Sequence, residues 1–328
     1  MVDGNGRIID YLRISITDRC NLRCIYCMPE EGVENIPHPQ ILTYDEIVRI
    51  CRCMSELGLK KIKLTGGEPL VRKDCADLIR NLKKIPSIEQ ITLTTNGICL
   101  KKEMKKLAEA GLDAVNISLD TVSPELFLRI TRRNLLGEVW EGIKEALCYP
   151  EIPVKINCVP IFPETKNILD MAGLAKHYPV HIRFIELMPI GYGRSFVFQS
   201  EAEIKKILAS AYGTMVPCQE TYGNGPCHYY SLTGFQGKIG FISAVSHQFC
   251  SQCNRIRLTS DGYLKTCLQY SEGVWLKEKM RGGCSDEELK EEIIQAVKKK
   301  PEHHQFFSNR KDYGDRAEEN RCMSQIGG

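Results

Sequence analysis

Six short runs rich in β-branched and apolar residues recur along the first part of the chain, and stretches with helical spacing separate them. The runs cover residues 11–17, 61–65, 91–95, 114–119, 154–159 and 181–186. Residues 44–57 place Ile47, Ile50, Met54 and Leu57 on one helical stripe, with Thr43 as the N-cap. Residues 101–110 form another helical stretch, closed by Gly111, a residue type suited to the position after a helix. Residues 166–176 and 201–209 repeat the pattern. Strands alternating with helices predict a parallel α/β sheet. Six such units are fewer than the eight of a complete barrel. The pattern therefore predicts an incomplete (β/α)6 TIM-like barrel over residues 1–210, ahead of a doubly wound sheet.

The texture changes after Ser210. Residues 214–218, 228–233 and 238–242 read as short antiparallel strands, with a turn at 234–237. Helical stretches follow at 272–280 and 286–299, and residues 301–328 are polar and predicted to be irregular. Residues 211–328 are thus expected to form a C-terminal extension containing a small antiparallel sheet.

Composition narrows the class. With 43% hydrophobic and 26% charged residues among 328, the chain reads as an ordinary globular protein. A net charge of +3 calls for neither a nucleic acid polymer nor a membrane surface, so an anionic ligand must be held by local cations. No run approaches the roughly 18 apolar residues of a membrane span. The opening Met1-Val2-Asp3-Gly4 carries no apolar leader, which predicts a cytoplasmic protein.

Cysteine sharpens the picture. There are 16, an abundance that in a reducing compartment points to metal or iron–sulfur chemistry rather than disulfides. Cys20, Cys24 and Cys27 form one set, and Cys250, Cys253 and Cys267 another. The other ten, at positions 51, 53, 75, 99, 148, 158, 218, 227, 284 and 322, are scattered and read as ordinary thiols. Structural zinc takes four ligands, as do most electron-carrying clusters. Three thiolates on a 4Fe–4S cluster leave one iron open to an organic molecule. Two such sets suggest an enzyme that places a molecule on each of two clusters. Zinc with a distant fourth ligand is the competing reading.

The polar motifs fall after the predicted strands, where parallel α/β architectures bind ligands. They are Asp18-Arg19 with the first cysteine set, Thr65-Gly66-Gly67-Glu68-Pro69, Thr94-Thr95-Asn96-Gly97 and Ser118-Leu119-Asp120. The fifth run carries Lys155 and Asn157, and the sixth Arg183, Glu186, Met188 and Pro189. In the second cysteine region, Arg255 and Arg257 lie two apart, so on a strand both reach the same face. Two guanidinium forks suit a triphosphate.

The segments TDRCNLRCIYCMP, TGGEPLVR, TTNG, NISLD, RFIELMP, FCSQCNRIRLTSDG and IGG carry a resemblance. The first resembles the radical S-adenosylmethionine superfamily. Together the segments are similar to the MoaA family, the GTP 3′,8-cyclases of molybdenum-cofactor biosynthesis, over nearly the whole chain. That resemblance implies two 4Fe–4S clusters, one on Cys20, Cys24 and Cys27 and one on Cys250, Cys253 and Cys267. It implies S-adenosylmethionine contacts at Tyr26, Gly67, Ser118 and Met188. GTP contacts are implied at Arg13, Lys63, Thr94, Lys155, Arg255 and Arg257. Lys63 departs from the family's arginine; it keeps the charge and loses the fork. Gly327 and Gly328 resemble a tail that enters the active site and helps trigger catalysis, steered by Arg321 and Met323. The implied partners are GTP, a low-potential electron donor and a downstream cyclic pyranopterin monophosphate synthase, while monomer and homodimer both stay open. A peptide-modifying radical enzyme and an iron–sulfur electron carrier are the alternatives; the Arg-x-Arg and Gly-Gly pair argue against both.

Overall fold

Strands β1 (Tyr11–Ser15), β2 (Lys61–Thr65), β3 (Gln90–Thr95), β4 (Ala114–Ser118), β5 (Val154–Cys158) and β6 (His181–Ile185) pair in parallel, each with the next in sequence. The structure is a computed structural model and describes residues 1–197, 199–220, 222–223, 225–306 and 318–327. A doubly wound sheet reverses its strand order at a switch point. Here β1 to β6 follow chain order without reversal, which removes that alternative.

Helices α1 (Tyr44–Glu56), α2 (Cys75–Lys83), α3 (Leu100–Glu109), α4 (Pro124–Thr131), α5 (Leu136–Leu147) and α6 (Thr165–His177) connect these strands, and α7 (Glu201–Tyr212) follows β6. Thr43 and Glu46 form the capping box that starts α1, and Ser200 and Glu203 do the same for α7. Helices α2, α4 and α5 were not marked by the apolar spacing.

The strands divide their side chains by parity. Leu12, Ile14, Ile62, Leu64, Leu93, Ile117, Ile156 and Ile182 are fully buried with Ile47, Ile50, Leu78, Leu82, Met104 and Leu107 of the helices. Each such burial contributes about 1.5–3 kcal/mol relative to exposure. The alternate residues Arg13, Lys63, Thr94, Asn116, Lys155 and Arg183 line a cavity on the other face.

The C-terminal part adds strands to both ends of this sheet rather than building a small separate one. Strands β7 (Val216–Pro217), β8 (His228–Ser231) and β9 (Ile239–Ile242) form an antiparallel meander, but β9 pairs in parallel with β6. Strands β10 (Arg255–Leu258), β11 (Tyr263–Lys265) and β12 (Gly273–Trp275) form another, and β10 joins β1 in parallel. The described residues therefore form one 12-stranded sheet. The edge strands of an open sheet hold unpaired backbone groups, and β9 and β10 satisfy those of β6 and β1. The predicted helix at 272–280 begins as β12 and becomes α8 (Leu276–Arg281) only at its second half. Helix α9 (Asp286–Lys298) lies where predicted. The supposedly irregular end contains a four-residue helix, α10 (Met323–Ile326), and a bridge between Tyr270 and Glu318.

Candidate active site

A cavity of about 370 Å³ runs along the inner face of the sheet, and both cysteine sets line it. They lie at opposite ends of the strands. Cys20, Cys24 and Cys27 follow the C-terminal end of β1, whereas Cys250 and Cys253 precede β10, which runs parallel to β1. Cys267 follows antiparallel β11 and so reaches the same end as Cys253. Reading every polar motif as a C-terminal strand end thus described only half of the site.

The first set sits in a tight loop. The Cys24 carbonyl accepts from the amides of Cys27 at 2.9 Å and Met28 at 3.1 Å. Arg23 and Ile25 donate from their amides to Thr131 and Ile130, fastening the loop to the end of α4. Burial pushes the thiols up, Cys20 to about 11 and Cys27 to about 12, and Cys24 rises through burial and then through Cys27. Thiolates here need a cationic centre to take their charge. Among the described residues, no three His, Cys, Asp or Glu side chains converge as a site for a single metal ion.

Gly66 and Gly67 have a structural reason independent of any cofactor. A Cβ on Gly67 would lie 2.4 Å from the Arg19 carbonyl oxygen, and one on Gly66 would lie 2.6 Å from that of Thr17. The turn after β2 packs directly on the backbone leading into the cysteine loop, with Gly67 N–H donating to Thr17 at 2.7 Å. Tyr26 is both packed and bonded: its ring joins a small cluster with Leu126, Ile130 and Ile161. Its hydroxyl donates to Asp120 Oδ2 at 2.8 Å. Burial raises the Asp120 carboxyl to about 6, against the opposing Val159 amide bond. Ser118 and Met188 line the same end.

The middle of the cavity is a field of buried and half-buried cations. Register places Arg257, Arg13 and Lys63 side by side on β10, β1 and β2. A second row runs Thr94, Asn116, Lys155 and His181 across β3 to β6. Burial, aided by the neighbouring cations, brings the Arg13 guanidinium down to about 10 and Lys155 to about 8. Lys63 and Arg257 are held well below their usual ranges for the same reasons. Arg183, placed by the sequence among the ligand-end polar residues without a specific contact, completes the group and donates to Asn116 Oδ1 at 2.5 Å. Its signal was a charged residue inside an otherwise apolar strand. Arg183 Nε and Asn157 Oδ1 are buried without hydrogen-bond partners among the described residues. Burying like charges together is costly unless an anion joins them.

At the second set, a short turn spans Cys250–Gln252, and the Cys250 carbonyl accepts from the Cys253 amide at 3.1 Å. The His304 amide donates to Cys250 Sγ at 3.4 Å. Burial alone would raise the Cys253 thiol, but Lys300 and Arg255 outweigh it and lower it to about 7. Arg255 and Arg257 lie on β10 two residues apart, as expected, and both line the cavity.

The tail reaches this cavity as well. Met323 and Ser324 line it, and Arg257 Nη1 donates to the Gly327 carbonyl at 2.5 Å. Gly327 has φ +75°, with the Thr65 hydroxyl 3.0 Å from where a Cβ would stand. Upstream, Glu319 pairs with Lys265 and, at 3.0 Å, with Arg321. Gly328 lies outside the described residues.

Comparison with known proteins agrees with this geometry. The profile described as Radical SAM superfamily matches residues 14–175, and that described as Molybdenum Cofactor Synthesis C matches residues 180–306. The chain is 47% identical over 329 residues to the GTP 3′,8-cyclase of Clostridium perfringens (strain SM101 / Type A), covering 100% of both chains. It is 46% identical over 332 residues to the GTP 3′,8-cyclase of Syntrophomonas wolfei subsp. wolfei, again covering 100% of both. Among solved structures, Streptococcus suis SuiB bound to S-adenosylmethionine is similar with a TM-score of 0.58 at 15% identity. That match covers 80% of this chain and 60% of the longer SuiB chain, and it concerns the fold alone. Fold and profile together define a radical S-adenosylmethionine α/β protein. Within that class, the chain belongs to the GTP 3′,8-cyclase family.

Proposed function

We propose that this chain converts GTP to (8S)-3′,8-cyclo-7,8-dihydroguanosine 5′-triphosphate, an early step of molybdenum-cofactor synthesis. The observation that carries the reading is the row of buried Arg257 with half-buried Arg13 and Lys63, set between two three-cysteine ends of one cavity. A triphosphate carries the polyanionic charge that such a row of cations suits.

In this reading Cys20, Cys24 and Cys27 hold a 4Fe–4S cluster, and Cys250, Cys253 and Cys267 hold a second. The bound clusters and S-adenosylmethionine supply the electron and the adenosyl radical that takes hydrogen from the ribose 3′ carbon. Tyr26 offers main chain to the cofactor, with its ring anchored by the Asp120 hydrogen bond. Gly67, Ser118 and Met188 complete that end. Arg13, Lys63, Arg255 and Arg257 take the triphosphate, with Thr94 and Lys155 on the nucleoside side. Lys63 contributes a point charge where a guanidinium would contribute a fork. Gly327 and Gly328 form an activating tail, in which Gly327 is held by Arg257.

The sheet curls into an incomplete (β/α)6 barrel, residues 1–210, which the 211–328 extension completes at both edges. The alternate polar residues of six strands lining one cavity support that curvature. A low-potential electron donor and a cyclic pyranopterin monophosphate synthase downstream are the expected partners of a cytoplasmic enzyme, as monomer or homodimer. No helix among the described residues is long and apolar enough to cross a membrane. Anaerobic incubation with GTP, S-adenosylmethionine and dithionite, followed by mass spectrometry, tests the activity. The cyclised nucleotide is expected, and 5′-deoxyadenosine without it would refute the assignment.

A further inference from the structure

Lys300 is a buried ammonium with no carboxylate partner among the described residues. Only 5% of the residue is exposed, and no acidic side chain among the described residues pairs with it. Lys265 makes the contrast: it is equally buried, but Glu319 neutralises it. Lys300 Nζ instead donates to the carbonyl oxygens of Arg255, at 2.9 Å, and of Thr266. Arg255 lies two residues beyond Cys253, and Thr266 immediately precedes Cys267. The ammonium therefore sits between the main-chain segments that carry two of the three downstream thiols, and it lines the same cavity wall.

Its backbone is held just as closely. The Lys300 amide donates to the Val297 carbonyl at 3.0 Å, at the end of α9, and its carbonyl accepts from Asn5 Nδ2 at 3.0 Å. Arg7, itself paired with Asp3, donates to the carbonyls of Cys250 and Pro301 and braces both sides of the same wall. A side chain fixed this way does not swing out to water.

Satisfying two carbonyls does not require a charge, since a neutral amide can do so. A buried unpaired ammonium is costly, and the cost is offset only where anionic charge lies nearby. A cubic cluster on three thiolates is such an anion, and reduction makes it more negative.

We propose that Lys300 tunes the downstream cluster electrostatically, favouring its reduced state by placing uncompensated positive charge behind Cys253 and Cys267. This rests on the two-cluster reading above. An interaction of this kind is strong in a low-dielectric interior and weakly screened by salt. Arg255, Arg257 and Lys300 all line the cavity, but the Lys300 ammonium is held by main-chain carbonyls next to two of the three thiols.

The test is the one-electron midpoint potential of the downstream cluster, followed by EPR in a Cys24→Ala background that removes the other signal. Lys300→Gln retains two N–H donors on its side-chain amide and removes the charge. It is expected to lower the reduction equilibrium constant about tenfold, a shift of about 59 mV to more negative potential. Lys300→Arg is expected to stay close to the parent value. An unchanged midpoint in Lys300→Gln, with the cluster retained, overturns the proposal. If Lys300→Gln fails to hold the cluster, iron content decides. Full occupancy in Lys300→Arg supports the need for charge, and loss in both overturns it in favour of packing. About four irons per wild-type chain would instead overturn the two-cluster reading itself.

Discussion

Arg257 donates from Nη1 to the carbonyl oxygen of Gly327, 2.5 Å away, tying β10 to a tail residue 70 positions downstream. The guanidinium thus joins two parts of the site. Its strand begins two residues after Cys253, and its acceptor stands beside Thr65 and Ser15 at the far end of β1 and β2.

Gly327→Ala is expected to leave the fold intact and stop the chemistry. A Cβ at φ +75° costs about 1–2 kcal/mol locally. The melting temperature and iron content should stay near wild type, while 5′-deoxyadenosine formed in the presence of GTP falls sharply. Wild-type turnover in this variant, or after deletion of Gly327 and Gly328, would make the segment a mere tail. A synthetic peptide ending Ser324-Gln325-Ile326-Gly327-Gly328 is expected to restore turnover to the deletion variant.

The two cysteine ends should separate genetically. Cys24→Ala is expected to abolish reductive cleavage of S-adenosylmethionine. Cys267→Ala is expected to retain much uncoupled cleavage and lose GTP cyclisation. Chromatographic quantification of 5′-deoxyadenosine and cyclised nucleotide in the same samples distinguishes them. Loss of GTP binding alone in both variants would refute the division of labour.

Arg255→Ala and Arg13→Ala are expected to weaken GTP by about 1.5–3 kcal/mol each, the range for hydrogen bonds to charged groups. Guanosine, without phosphates, should bind with little change. Arg257→Ala should show the same affinity loss and, in addition, the defect of Gly327→Ala, because one guanidinium serves both. Isothermal titration with the two ligands measures the first effect. Equal losses for GTP and guanosine would move these arginines away from the triphosphate.

The Glu319 clasp makes a pH-dependent prediction. Burial alone would raise this carboxyl, but Arg321 and Lys265 outweigh it and hold it at about 2, below its ordinary 4.5. A lowered folded value means the stabilisation is fully present above 4.5 and is lost as pH falls toward about 2. Glu319→Gln should therefore be less stable than wild type at neutral pH, with the gap closing through that acid window. Denaturant unfolding at a series of pH values checks it, and a constant gap would dismiss the ionised clasp.

Much of this was legible because period and residue type are local properties. The strands at Lys61–Thr65 and His181–Ile185 announced themselves by apolar alternation, and α1 by Thr43 and its stripe. Arg255 and Arg257 could be placed on one face from spacing alone. Helix α2 escaped notice because Asp74 enters it in a left-handed conformation, with no side-chain cap to mark the start. Strand β12 was masked by the helical composition that continues into α8.

The sequence by itself determined the alternating α/β plan, the two cysteine sets and the cations suited to a nucleotide, since each depends on residues close together in the chain. Only the tertiary structure decided that β10 docks beside β1 and β9 beside β6, because pairing between strands as distant as Tyr11 and Arg255, or Ile182 and Ile239, leaves no periodic trace. That docking puts the two cysteine sets at opposite ends of one cavity and aligns Arg257 with Arg13 and Lys63. It also explains the lone ammonium of Lys300 and the reach of Gly327, whose partners are fixed by the path of the backbone through space. Charges far apart in sequence acquire meaning only when folding removes the water between them.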